Sequence, residues 1–129
     1  MPSNSQDVEY LPFPTQTSLP FSAAVRVGNM LYLSGQMGTD ESTKLVPGGI
    51  EAETRQALAN MKAILERHGS SLDRVVKCTV MMADMDEWPV MNAVYVQHFP
   101  LHLPARSAFG ASSLAFGGRV EIECIATVE

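Results

Sequence analysis

The chain has 129 residues, 46% of them hydrophobic, with 14 acidic against 9 basic side chains and a formal net charge of −5. That length suits one compact domain, large enough to bury a core but small enough for subunit packing to supply part of the burial. The acidic balance offers no basic surface of the kind that holds nucleic acid nonspecifically, so a nucleic-acid partner is not expected.

Residues 1–18 are rich in proline, serine and threonine and read as a flexible lead-in, ahead of a single domain over residues 19–129. The amino end lacks both a basic-then-apolar signal pattern and an arginine-rich transit composition, and no later stretch approaches a membrane span. A cytoplasmic location with no membrane partner is the expectation. Residues 23–27 and 30–34 read as two strands joined by Gly28-Asn29, a hairpin that ends at Ser34-Gly35-Gln36, where glycine permits close backbone approach.

After the break at Pro47-Gly48-Gly49, the spacing of Ala57, Leu58, Met61, Ile64 and Leu65 predicts a helix over residues 51–68. Gly69 stops it, and residues 75–82 have the β-branched character of a buried strand. Asp84 and Asp86 offer caps for a second helix, with Pro89 in its first turn. Its apolar stripe of Trp88, Met91, Tyr95 and Phe99 reads as packing rather than a cofactor pocket. Pro100 and Pro104 bracket a break before a strand carrying Arg106, and Gly117-Gly118 turns the chain into a last strand from Val120. The order is ββαβαββ, an α+β domain with a mostly antiparallel sheet covered by two helices.

Arg106 stands in the stretch Pro104-Ala105-Arg106-Ser107-Ala108, and its planar fork of donors suits a carboxylate. Glu121 and Glu123 alternate with Val120, Ile122 and Cys124, so both carboxylates project from one strand face. Spacing alone leaves two readings of Arg106 open, a ligand anchor and an ion pair with one of these glutamates. Cys78 and Cys124 lie in apolar runs and read as buried free thiols, although spacing does not exclude a disulfide. His68, His98 and His102 are too dispersed for a metal pattern, and helix ends or the surface suit them. No phosphate-binding glycine loop, nucleophile elbow or CxxC pair is present, so Ser34 and Ser107 are assigned hydrogen-bonding rather than nucleophilic roles.

Three blocks, GNMLYLSGQ at residues 28–36, VVKCTVMMADMDEWPVMNAVY at 75–95 and LPARSAFGASSLAFGGRVEIECIATVE at 103–129, resemble the reactive-intermediate deaminase family, also called the YjgF or endoribonuclease L-PSP family. The resemblance implies a chorismate-mutase-like fold and a homotrimer with ligand clefts between subunits. It also implies hydrolysis, without cofactor or metal, of 2-imino acids and their enamine tautomers to 2-oxo acids and ammonia. Such substrates are released by pyridoxal-phosphate enzymes, a functional link that comes with the resemblance. By the same resemblance, Arg106 grips the substrate carboxylate, Glu121 serves the attacking water, and Ser34, Gly35, Asn92 and Ser107 line the pocket.

Two positions depart from the family pattern. Phe21 stands where many of the deaminases have tyrosine, and Ala108 where cysteine is common, which removes a hydroxyl and a thiol from the pocket edge. With Arg106 and Glu121 kept, retained deaminase activity with altered rate or side-chain preference is expected. The alternative is a non-catalytic protein that binds small carboxylates or 2-oxo acids.

Overall fold

The computed structural model describes residues 7–15 and 18–128. Among these, the order is β1 (Val8–Leu11), β2 (Ala24–Val27), β3 (Met30–Leu33), β4 (Gln36–Met37), α1 (Gly49–Arg67), β5 (Val75–Met82), α2 (Trp88–Gln97), β6 (Ala105–Gly110) and β7 (Val120–Thr127). The sheet runs β1-β2-β3-β7-β5-β6, with β4 also on β7. The β5–β6 pair, joined through α2, is parallel, and the other pairs are antiparallel. The α+β class and the expected helices and main strands are all present.

One expectation is corrected. Val8–Leu11 falls in the segment read as flexible lead-in, yet it zips antiparallel onto β2 with Val8 opposite Val27 and Leu11 opposite Ala24. Valine and tyrosine favour extended backbone, and the open edge of the hairpin supplies unpaired backbone groups to receive them. The surrounding prolines and serines conceal so short a strand.

The short strand β4 is equally hidden in the sequence. Tyr32 stands opposite Ile125 and Gln36 opposite Ile122, so the ladder along β7 slips by one residue between them. This is a bulge centred on Ser34-Gly35, and it turns Met37 onto the same face as its partner Glu121. A second irregularity, between Val75 and Lys77, leaves Val76 out of register on β5.

The core lies between the helices and one sheet face. Ala57, Leu58, Met61, Ile64 and Leu65 of α1 are all buried, and the helix packs on β7, whose Val120, Ile122, Cys124 and Ala126 are buried in alternation. Removing the Leu58 side chain beyond Cβ would cost about 2–5 kcal/mol. Buried Glu53 accepts the Arg119 backbone N–H at 2.8 Å and ties α1 to the start of β7. Beside α1 packs α2, which completes the helical layer. The opposite sheet face carries Glu121, Glu123, Tyr32 and Phe109, and no described helix covers it. Both cysteines are free and buried, and His68 and His98 sit at helix C-termini.

Candidate active site

Glu121 projects from β7 onto the open face and rests on the bulge. A Cβ added at Gly35 would overlap its carboxyl group, so only glycine lets the carboxylate lie against this backbone. Around it opens a cleft of about 300 Å³ walled by Phe13, Phe21, Met37 and Phe116. Phe13 and Phe21 meet edge to face, with ring centroids 5.8 Å apart. Burial, and after it the charge of Glu123, pushes the Glu121 carboxyl above the ordinary carboxylate range. Ser34 adjoins the cleft, where its hydroxyl donates to the Ser22 carbonyl at 2.6 Å and fastens the Phe21 segment to the bulge.

Arg106 belongs to a different surface. Its guanidinium carbon lies 5.1 Å from the Trp88 ring centre and 4.8 Å from that of Tyr95, inside the range of cation–π attraction. Trp88, Asn92 and Tyr95 follow one another at i, i+4 and i+7, so α2 presents all three on one side. The Asn92 Oδ1 and the Tyr95 hydroxyl are buried; neither has an oxygen or nitrogen partner among the described residues, and the Tyr95 hydroxyl has the Cys78 thiol as its polar neighbour. Nor do the described residues give the Arg106 fork a carboxylate or carbonyl. Contact with ring faces spends no N–H donor on an acceptor, so the fork keeps the donors a planar carboxylate needs.

Register decides how these two groups relate. Cys78 stands opposite both Arg106 and Cys124, which places the Arg106 side chain on the helix-covered face with buried Cys124. Glu121 is three residues from Cys124 and points the other way. The structure therefore brings Glu121, Gly35 and Phe21 together, with Ser34 beside them, and gathers Arg106 and Asn92 elsewhere. Ala108 shares the Arg106 face, whereas Ser107 pairs with Thr79 opposite Glu123 and so lies on the Glu121 face. Within one chain the ion pair between Arg106 and Glu121 or Glu123 does not form. The expectation that Glu121 and Glu123 share a face is met.

Sequence reasoning did not assign Trp88 and Tyr95 to Arg106, because an aromatic stripe at helical spacing looks the same whether it meets a core or a cation. The signal was the crossover: a helix joining two adjacent parallel strands must lie across the second, here β6 with its lone arginine. Phe13 and Phe116, as cleft walls, carried no comparable signal.

A sequence profile described as Endoribonuclease L-PSP matches residues 14–128. The chain belongs to this family. A bovine member, named 2-iminobutanoate/2-iminopropanoate deaminase, is 46% identical over 108 residues, covering 83% of this chain and 79% of its own. Among solved structures of the family, a putative endoribonuclease from Thermotoga maritima is 44% identical with a TM-score of 0.83, covering 93% of each chain. A Rid-family protein of unknown function from Yersinia pestis reaches a TM-score of 0.88 at 32% identity, covering 95% of this chain and all of its own.

Proposed function

We propose that the protein is an imine deaminase acting on small 2-imino acids, and that its site is completed between copies in a homotrimer. The observation that carries the chemistry is the Glu121 carboxyl, seated on Gly35 in an apolar-walled cleft with its proton affinity raised. A group of that kind can take a proton and return it within one turnover. Deaminase names on relatives such as the bovine protein support the substrate class.

In the reaction, Arg106 grips the carboxylate of a protonated 2-imino acid and fixes the imine carbon over Glu121. Water adds to that carbon as its proton passes to the Glu121 carboxylate, forming a neutral carbinolamine. Glu121 then returns the proton to nitrogen, the C–N bond breaks, and the hydroxyl oxygen becomes the carbonyl of the 2-oxo acid. Ammonia and one proton leave. Positioning accounts for most of the acceleration, since an imine carbon already accepts nucleophiles readily. Asn92, Ser34, Ser107 and the Ala108 backbone line the substrate in this reading.

Because Arg106 and Glu121 point from opposite faces of one sheet, one ligand meets both only if they come from different copies. The uncovered face, with Tyr32 and Phe109 about half exposed, supports such packing. Closed three-fold symmetry would make three equivalent clefts from one kind of contact. The proposal places the protein in the cytoplasm alongside pyridoxal-phosphate enzymes that release imines, and no described helix is long and apolar enough to cross a membrane.

The test generates 2-aminoacrylate with a pyridoxal-phosphate dehydratase and measures 2-oxo acid release with and without the protein. Acceleration over spontaneous hydrolysis is expected. Binding of a 2-oxo acid without acceleration would support instead the carboxylate-binding reading, which Phe21 and Ala108 favour because neither side chain brings a proton-carrying group.

A further inference from the structure

Arg106 is held by two aromatic faces and by no anion of its own chain among the described residues. A guanidinium on a long flexible stem would otherwise sample many rotamers, and fixing it on binding would cost affinity. Tyr95 is 3% exposed, and Trp88 packs partly buried against the core, so both rings are fixed before any ligand arrives. The Tyr95 hydroxyl has the Cys78 thiol as its polar neighbour but no oxygen or nitrogen partner among the described residues. Its ring meets the guanidinium from one helix position, and Trp88 meets it from another, two turns earlier.

We infer that Trp88 and Tyr95 are positioning residues for substrate binding, an aromatic clamp that pre-aims the Arg106 fork at the ligand carboxylate. The inference rests on the deaminase reading for the identity of the substrate, but the clamp itself concerns carboxylate binding and is measurable without turnover. Loss of one π face should weaken ground-state and transition-state binding alike, raising KM and leaving kcat nearly unchanged.

Trp88→Leu keeps apolar bulk and removes the π face, while Trp88→Phe keeps a face. In the full-length assembled protein, with 2-oxopropanoate as calorimetric probe and 2-iminobutanoate generated in situ as substrate, Trp88→Leu should raise both Kd and KM by up to about tenfold, the scale of ordering one long flexible side chain on binding. Trp88→Phe should recover most of the loss. In an Arg106→Lys background, Trp88→Leu should add little, because the planar partner is gone.

Trp88 is the single tryptophan of the chain, so its emission reports on the clamp directly. It should change when wild type is saturated with 2-oxopropanoate and stay unchanged in Arg106→Leu, a comparison that stands even if Trp88→Leu fails to fold. Wild-type affinity in folded Trp88→Leu, equal losses in the Phe and Leu variants, or an emission indifferent to saturating 2-oxopropanoate would overturn the clamp. Should wild type bind 2-oxopropanoate with the expected variant pattern but not accelerate imine hydrolysis, the deaminase reading fails and the clamp stands.

Discussion

The Glu121 cleft and the Arg106 edge handle charge in opposite ways. At the cleft a carboxylate is pressed against a glycine backbone among apolar walls, so its charged form is disfavoured and its proton affinity rises. On the edge a guanidinium lies within cation–π range of two rings, which favour the cation and take up none of its donors. One region suits proton exchange, the other suits holding a permanent charge still. Their placement on opposite sheet faces means that a single chain does not unite the two.

The sharpest break of this contrast is Glu121→Gln, which keeps size but cannot take a proton. Its kcat should fall about 10²–10⁴-fold, the usual contribution of a positioned acid or base, while 2-oxo acid affinity stays near wild type. Steady-state kinetics beside calorimetry checks both halves. Equal losses in turnover and affinity would mean that Glu121 binds rather than reacts.

Gly35→Ala should come next. The added methyl displaces the carboxylate without altering its chemistry, and misplacement on the ångström scale costs about 10²-fold in turnover. A folded variant with unchanged kcat would remove the bulge from the account. Arg106→Lys keeps charge but loses the bidentate fork, so KM should rise about 10–100-fold, the worth of a charged hydrogen bond. Its kcat should move far less.

The smallest effect is in pH dependence. In the proposed reaction Glu121 acts in its ionised form, so kcat should decline as pH falls through a value above the ordinary carboxylate range, and the decline should be absent from the residual rate of Glu121→Gln. Stability follows the same shift with a definite sign. A folded-state affinity raised above the unfolded one contributes stability at low pH that is lost as pH rises through the folded value. Glu121→Gln should therefore melt higher than wild type at pH 7, and the gap should close by about pH 4, where unfolded carboxyls also hold their protons.

Much of the fold was legible because its long elements carry clean periods. In α1, Ala57 to Leu65 repeat at helical spacing, and β7 alternates from Val120 to Ala126. The two short strands were not: β1 has four residues in a proline-rich setting, and β4 follows a one-residue slip that no local pattern announces. For the site, the alternation along β7 already set Glu121 outward, while Ala105–Gly110 alternates too weakly in polarity to say where Arg106 points. That required Cys78 as common partner of Arg106 and Cys124, a relation between three strands rather than within one.

The central claim is that Arg106 of one copy and Glu121 of another serve the same ligand. Glu121→Gln and Arg106→Leu proteins, each nearly inactive alone, can be unfolded together in equal amounts, refolded as mixed assemblies and assayed for imine hydrolysis. If sites form between copies, about a quarter of the interfaces in randomly mixed trimers join an intact Arg106 to an intact Glu121, and about that share of wild-type activity should return. Activity no greater than the average of the two parents, with mixed trimers shown by mass, would contradict the account and put both residues of each site on one chain.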